Sequence, residues 1–187
     1  MAIERVTRAA NTACDVVKHI RVLSRQPGEM RDLTPLGNLV TEACDLMAEE
    51  ASRYFAHIDL DIEPDLPPVV VDRIQIRQVL VNLIRNGLEA MEFVERRRIL
   101  GIVVRRSEGA VQIAISDCGI GLEFPDKIFQ PFFTTKFQGM GMGLAICRTI
   151  ADAHAGCLCA RKNDPHGTTF LFTLPVGVPA VRDISAA

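Results

Sequence analysis

The sequence lacks the paired C-x-x-C spacing typical of zinc sites, although it contains six cysteines among 187 residues. Two of these cysteines would lie on one face of a predicted strand, which favours packing over metal binding. We therefore expect reduced thiols, as in a cytosolic protein, and neither a disulfide framework nor a zinc site on the cysteines. The cysteines are Cys14, Cys44, Cys118, Cys147, Cys157 and Cys159.

An excess of positive charge is also missing. The formal net charge is −2, which argues against a nucleic-acid partner, and the basic run 96–98 is typical of a solvated surface. No apolar run is long enough to span a membrane, and the start does not resemble a signal peptide. We expect a soluble, cytoplasmic segment that contacts neither nucleic acid nor membrane.

Residues 3–25 have apolar side chains at alternating spacings of three and four, which predicts a helix with a partner. Pro27 and Gly28 end the pattern. We expect residues 1–28 to form a separate helical unit that can dimerise through residues 3–25, followed by a domain over 29–176 and a frayed tail over 177–187. The stripe consists of Val6, Ala9, Ala13, Val16, Ile20 and Leu23, widened by Ala10 and Val17.

The remaining patterns predict an α+β domain. Asp72 and Gln75 have the spacing of a capping box and place the start of a helix. Two further helices are predicted by apolar periodicity over 36–54 and 141–154. Alternating or continuous apolar runs predict strands over 58–62, 69–71, 99–106, 111–117, 157–161 and 168–174.

Asn82 and Asn86 lie four residues apart on one face of the helix that starts at Asp72. Gly87 follows them, although glycine inside a helix costs about 1 kcal/mol relative to alanine. Amide oxygens suit Mg²⁺, which prefers oxygen ligands. The same spacing also fits two solvent-facing polar residues.

Two glycine clusters flank a loop that contains two phenylalanines, two threonines and Lys136. Glycine allows a backbone to approach a ligand closely, so the pattern suggests a flexible cover over a phosphate. Asp117 precedes the first cluster at the end of an apolar strand, where a half-buried carboxylate needs donors. An adenine amino group or a turn amide would serve. The clusters are Gly119 with Gly121, and Gly139 with Gly141 and Gly143.

Five segments resemble, in order, the conserved boxes of sensor histidine kinases. Residues 78–91, QVLVNLIRNGLEAM, are similar to the N box, and 117–121, DCGIG, to the G1 box. Residues 128–136, IFQPFFTTK, resemble the F box, and 139–144, GMGMGL, the G2 box. Gly167-Thr168-Thr169 resembles the closing G3 element. The N and F boxes look most like those of oxygen-sensing and nitrogen-regulating kinases.

This resemblance implies a two-layer α/β sandwich, the Bergerat fold, with a mixed sheet and three main helices. DNA gyrase B, Hsp90 and MutL share this fold. It also implies ATP and Mg²⁺ as ligands. By position, the resemblance implies that Asn86 coordinates Mg²⁺ and that Asn82 helps to hold the metal or the phosphates. It implies that Asp117 accepts a hydrogen bond from the adenine amino group, while Gly119 and Gly121 let the backbone approach the base. The resemblance also implies that Lys136 contacts the terminal phosphate and that Thr168 lies near the adenine. The residues implied to line the phosphates are Gly139, Gly141, Gly143 and Leu144.

Asn82 stands where hydrolysing members of the superfamily have a glutamate that activates water. The resemblance therefore implies phosphoryl transfer, with Asn82 and Lys136 in catalytic positions, rather than direct ATP hydrolysis. Departures from the family pattern are mild: Gly87 replaces the usual alanine, and Met140 and Met142 replace hydroxyl or leucine side chains.

The H box that carries the phosphorylated histidine has no counterpart here, since His19 in VVKHIRVL does not match it. Residues 3–25 instead resemble the second helix of the dimerisation hairpin. We expect the catalytic part of a histidine kinase, which cannot autophosphorylate alone. Its partners would be a histidine-containing dimerisation domain and a response regulator receiver domain. A degenerate adaptor that binds a response regulator and an anti-sigma-type serine kinase are the alternatives.

Overall fold

The computed structural model describes residues 31–135 and 141–177. The predicted helix over 3–25, Lys136, Gly139 and the tail from residue 178 lie outside these ranges. The helices are α1 (Leu36–Arg53), α2 (Arg73–Ala90) and α3 (Gly143–Ala153). The strands are β1 (Asp32–Thr34), β2 (Ala56–Ile62), β3 (Val69–Val71), β4 (Arg98–Ser107), β5 (Ala110–Ser116), β6 (Cys157–Lys162) and β7 (Thr168–Pro175).

Five strands form one mixed sheet in the order β2-β4-β5-β7-β6. Strands β2 and β4 are parallel, and the other neighbours are antiparallel. Strand β1, which the sequence analysis missed, pairs with β3 in a separate two-stranded sheet. It spans only three residues before Pro35, so its sequence carries no periodic signal, and its pairing with β3 defines it.

The helices cover one face of the five-stranded sheet. Val111, Ile113 and Ile115 alternate along β5 and are at most 1% exposed, as the predicted strand periodicity requires. The apolar face of α2 packs in the same core, and burying each such side chain contributes about 1.5–3 kcal/mol. The predicted two-layer α/β sandwich with three main helices is confirmed. The fully buried side chains of α2 are Ile76, Val79, Leu80, Leu83, Ile84 and Leu88.

The predicted cap of α2 is present at Asp72. Its Oδ1 accepts hydrogen bonds from the backbone N–H groups of Ile74 and Gln75, at 2.9 and 3.2 Å, which satisfies two amides of the first turn. Gln75 does not complete the box. The N–H of Asp72 instead donates to His154 Nε2 at 3.1 Å.

Five cysteines lie in the described ranges, and all are free thiols. Cys44 and Cys147 are buried, whereas Cys157 and Cys159 are exposed on β6. The two β6 cysteines therefore share a face as predicted, but that face is open, so the packing role expected for them is wrong. In residues 31–135 and 141–177, no helix is both long and apolar enough to cross a membrane.

Candidate functional site

Asp117 follows β5 and is only 5% exposed. Its Oδ1 accepts hydrogen bonds from the backbone N–H groups of Gly119, at 2.8 Å, and Thr168, at 3.1 Å. Burial raises the pKa of the carboxyl group above its usual range, and these hydrogen bonds oppose that shift. Among the described residues other than Asp117 itself, none donates a hydrogen bond to Oδ2. A buried carboxylate with one unoccupied oxygen suits a ligand that donates, such as the amino group of adenine.

The strand pair β5–β7 positions Asp117 and Thr168 beside each other. The N–H of Asp117 donates to the carbonyl of Thr168 at 2.9 Å, and the Thr168 side chain is buried. Asn163, in the turn before β7, donates from Nδ2 to the Asp117 carbonyl at 3.1 Å. The sequence analysis did not single out Asn163, because a polar residue in a turn carries no signal of a specific contact.

Gly119 allows the loop after β5 to pack directly on the end of α2. A Cβ at Gly119 would lie 2.4 Å from the carbonyl oxygen of Ala90, and Ile120 N–H donates to that same oxygen at 3.2 Å. Gly121 adopts a φ of +82°, which favours glycine. Both glycines are therefore required by the backbone around Asp117, whatever they contribute to a ligand.

Gly87 lies where α2 passes beside Asp117. A Cβ on Gly87 would lie 2.5 Å from Leu100 Cδ1 and 3.6 Å from Asp117 Cβ. Glycine replaces the family's usual alanine at position 87 because the side chain of Leu100 leaves no room for a methyl group. Asn86, one residue earlier, is half-buried at the same level of α2.

Asn82 contacts the beginning of α3. Its Nδ2 donates to Cys147 Sγ at 3.1 Å, and a Cβ on Gly143 would lie 2.9 Å from the same nitrogen. Burial raises the pKa of the Cys147 thiol to about 12, so the thiol stays protonated at neutral pH. Asn82 is thus held against α3 by a neutral acceptor.

The first turn of α3 receives no hydrogen bond from the side chain of its N-cap, Met142. The N–H groups at the start of a helix, together with the helix dipole, favour an anion. Gly141 has a φ of +67° and packs on Phe132 and Phe133, since its Cβ would lie 2.5 Å from Phe133 O. Leu144 is half-buried against the core. Gly141 is therefore built into the loop that the F box supplies.

Aromatic contacts position that loop in its described part. The rings of Phe124 and Phe133 meet edge to face with centroids 5.9 Å apart. Arg148 of α3 lies over the ring of Phe129, 5.3 Å from its centroid. The first contact stabilises the loop internally, and the second joins the loop to α3.

The predicted site residues therefore line one wall. Asp117, Thr168 and the loop of Gly119 and Gly121 lie beside Gly87, and Asn82 lies beside the start of α3. From Asn82 to Gly87 the helix rises about 7.5 Å. Asp117 therefore lies beside the C-terminal part of α2, and the start of α3 lies beside the middle of the same helix. The positions of Lys136 and Gly139 in this arrangement remain predictions.

The donors on α2 also fit Mg²⁺ chemically. Asn82 and Asn86 supply neutral amide oxygens on one face of the helix, and Mg²⁺ in nucleotide sites takes few protein ligands beside phosphates and waters. Within the described ranges, no group of three or more His, Cys, Asp or Glu side chains could hold a metal. A metal bound beside Asn82 and Asn86 would therefore take part of its ligands from a nucleotide.

Comparisons with known proteins agree with this geometry. The profile of the family described as "Histidine kinase-, DNA gyrase B-, and HSP90-like ATPase" matches residues 71–178. Sensor protein FixL of Bradyrhizobium diazoefficiens is 36% identical over 176 residues, which cover 93% of this chain and 35% of FixL. The C4-dicarboxylate transport sensor protein DctS of Rhodobacter capsulatus is 37% identical over 185 residues, covering 96% of this chain and 28% of DctS. The chain thus spans about a third of the length of these relatives.

Solved structures give the same result. The catalytic domain of histidine kinase ThkA superposes with a TM-score of 0.70 at 31% identity, covering 79% of this chain and 96% of that domain. ThkA in complex with the response regulator protein TrrA gives a TM-score of 0.76 at 28% identity, covering 94% and 50%. The predicted fold, family and use of ATP are confirmed. With its N-box helix, its buried Asp117 and a profile match over more than half its length, the chain belongs to the histidine kinase-, DNA gyrase B- and HSP90-like ATPase family, among the catalytic domains of sensor histidine kinases.

Proposed function

We propose that this chain binds Mg²⁺-ATP and, as part of a longer sensor kinase, transfers the γ-phosphate to a histidine outside the chain. The observation that carries the proposal is the buried Asp117 carboxylate, whose Oδ1 is occupied by two backbone amides and whose Oδ2 is left for a ligand. This acceptor lies beside the C-terminal part of α2, and the start of α3 lies beside the middle of the same helix.

At the base end, Asp117 accepts a hydrogen bond from the adenine amino group. Thr168 keeps the carboxylate in place through its backbone N–H, and its buried side chain lies in the same network near the base. Because Gly119 and Gly121 have no side chains, the base can lie directly against the backbone of the loop. A nucleotide without the amino group would leave Oδ2 buried and unpaired, which costs binding energy.

At the phosphate end, the free N–H groups of α3 meet the phosphates, with Gly141, Gly143 and Leu144 forming the surface beside them. Gly139 completes the cluster, and Lys136 pairs with the terminal phosphate, as the family resemblance implies. Asn86 holds Mg²⁺ through its amide oxygen, assisted by Asn82. When bound, the ion neutralises phosphate charge and orients the phosphate groups.

Asn82 explains why transfer rather than hydrolysis is proposed. An amide has no useful basicity, so Asn82 cannot take a proton from water. Its Nδ2 is directed toward Cys147, which leaves Oδ1 as the group available to the metal. The site thereby positions the γ-phosphate for an incoming histidine without activating water.

The proposed partners are a histidine-containing dimerisation domain and the receiver domain of a response regulator. The solved complex of ThkA with its response regulator TrrA supports the second partner. Residues 3–25, with their apolar stripe, would contribute a homodimer contact. A cytoplasmic location follows from the need for ATP and for a receiver partner.

Calorimetric titration with a non-hydrolysable ATP analogue tests this function, using wild type, Asp117→Asn and Asn86→Ala. We expect Asp117→Asn to weaken binding with or without Mg²⁺, and Asn86→Ala to weaken it only when Mg²⁺ is present. Gln112→Ala serves as the control, since Gln112 bonds to Thr173 on the same strand pair at 3.2 Å but does not contact Asp117. Failure of the wild type to bind would favour the adaptor alternative.

A further inference from the structure

Three consecutive backbone carbonyls after β5 each accept a hydrogen bond from a side chain outside their loop. The carbonyl of Asp117 accepts from Asn163 Nδ2 at 3.1 Å. The carbonyl of Cys118 accepts from Arg96 Nε at 3.1 Å, and that of Gly119 accepts from Arg96 Nη2 at 3.2 Å. Because the loop is held at every carbonyl, the direction of the Asp117 carboxylate is set before any ligand arrives.

Asn163 forms hydrogen bonds through its backbone N–H and through both polar atoms of its side chain. Its backbone N–H donates to Gly167 O at 2.9 Å, closing the turn. Its Nδ2 donates to the Asp117 carbonyl, and its Oδ1 accepts from Thr169 Oγ1 at 2.6 Å. Thr169 is 3% exposed and bonds in turn to Ser116 Oγ at 2.7 Å. The β6–β7 turn is thereby fastened to the end of β5 at the residue that leads into Asp117.

The chemistry of this position requires an amide side chain. The carbonyl of Asp117 needs a donor and the hydroxyl of Thr169 needs an acceptor, and asparagine supplies both. Aspartate would keep the bond from Thr169 but could not donate to the carbonyl. Alanine would lose both bonds. Arg96, in contrast, reaches its two carbonyls from the exposed surface, where a long side chain is held less firmly.

We propose that Asn163 is a positioning residue for base selection, which aligns the Asp117 carboxylate with the amino group of adenine. This inference rests on the proposed function, in which Asp117 accepts a hydrogen bond from that amino group. Asn163 itself does not touch the nucleotide. It acts through the Asp117 backbone, while Thr168 and Gly119 act on Oδ1 of the same residue.

The expected signature is a change in discrimination rather than a general loss of affinity. A purine without the amino group gains nothing from the direction of the Asp117 carboxylate. Weakened alignment therefore lowers the affinity for adenine nucleotides and leaves that for the amino-free analogue nearly unchanged. A purely structural role for Asn163 would lower both affinities equally.

The test is calorimetric titration with two ligands, a non-hydrolysable ATP analogue and purine riboside triphosphate, which lacks the amino group. The proteins are wild type, Asn163→Ala, Asn163→Asp and the control Gln112→Ala. Gln112 makes a comparable bond between β5 and β7, to Thr173, at the far end of the same ladder. We expect the ratio of the two affinities to fall about tenfold in both Asn163 variants, the scale of one lost hydrogen bond, and to stay constant in the control.

An unchanged ratio in folded Asn163 variants would overturn the inference, whether both affinities stay at the wild-type level or fall by the same factor. Thermal melts establish folding, and Asn163→Asp decides the matter if Asn163→Ala does not fold, since it retains the bond from Thr169. A wild type that binds ATP without preferring it over the amino-free analogue would refute the proposed role of Asp117 itself. That outcome is distinct from a failure confined to Asn163.

Discussion

The backbone N–H of Asp72 donates a hydrogen bond to Nε2 of His154, so the N-cap residue of α2 is bonded to the C-cap residue of α3. His154 Nδ1 lies 2.8 Å from the carbonyl of Ile150, and with Nε2 accepting at 3.1 Å the ring is neutral with its proton on Nδ1. The imidazole is 5% exposed. It ties the end of α3 to the start of α2, the helix that carries both asparagines of the nucleotide wall.

Acid should therefore destabilise the fold through His154. Burial lowers the pKa of His154 from 6.5, an effect to which the nearby Arg31 adds, whereas the bond to Ile150 and the charge of Asp72 oppose it. Because the unfolded chain binds the proton more readily, stability is complete above pH 6.5 and declines as the pH falls toward the lowered pKa. The slope approaches about 1.4 kcal/mol per pH unit.

Urea unfolding of wild type and His154→Gln from pH 7.5 to pH 5 measures this effect. The decline below pH 6.5 should be smaller in His154→Gln, while the control His57→Gln, on the exposed face of β2, should behave as wild type. Equal pH slopes in wild type and His154→Gln would show that the buried ring does not titrate in this range.

Much of this fold could be predicted from the sequence because the signals are local. The 3.6-residue periodicity of α2 and the Asp72 cap place the helix, and alternation places β4 and β5 as a hairpin. The link between His154 and Asp72 spans 82 positions, so no local pattern indicates it. Gln75 therefore looked like the natural partner of the Asp72 amide, although a buried imidazole takes that place.

The site shows the same division. Asp117, Asn86 and the glycine clusters stand in motifs that predict a nucleotide, and the described ones line one wall. Asn163 lies 46 positions from Asp117, and Cys147 lies 65 positions from Asn82. These supporting residues depend on which strands and helices become neighbours, which the motif spacing does not state.

Cys147 should influence Mg²⁺-ATP affinity through Asn82. Cys147→Ala removes the acceptor for Asn82 Nδ2 and should weaken binding several-fold, the scale of a lost hydrogen bond. Cys147→Ser keeps a side-chain acceptor and should retain most of the affinity. Cys44→Ala is the matched control, since it truncates another buried cysteine on α1. Calorimetric titration measures the Mg²⁺-ATP affinity of all three variants. Equal affinities for Cys147→Ala and Cys147→Ser would show that the bond from Asn82 to Cys147 does not affect binding.

The thiols should react in an order set by burial. Burial raises the pKa of Cys44 to about 11 and that of Cys147 to about 12, so neither forms the reactive thiolate at neutral pH. Cys157 and Cys159 are exposed, but burial and the neighbouring Cys157 raise the pKa of Cys159. Iodoacetamide labelling read by mass spectrometry should modify Cys157 before Cys159. In the native protein it should spare Cys44 and Cys147, which become labelled in denaturant. Early labelling of Cys147 would contradict its buried position.

Gly87 and Leu100 should be energetically coupled. A methyl group at Gly87 would raise helix propensity by about 1 kcal/mol, but it would meet Leu100 Cδ1 at 2.5 Å in a core position that is 0% exposed. Overpacking of this kind costs about 1–3 kcal/mol. We therefore expect Gly87→Ala to be neutral or destabilising, despite the better propensity of alanine.

A shorter side chain at Leu100 should relieve the destabilising effect of Gly87→Ala. Leu100→Val alone leaves a void and costs stability, whereas in the Gly87→Ala background the new methyl group occupies part of that space. Urea unfolding of the four proteins in this cycle should give a favourable coupling of about 1 kcal/mol. Leu158→Val is the control, because Leu158 is equally buried but lies on β6, three strands away from β4. The changes in unfolding free energy from Leu158→Val and Gly87→Ala should simply add. If those from Leu100→Val and Gly87→Ala also add, the size of Leu100 is not the reason for glycine at position 87.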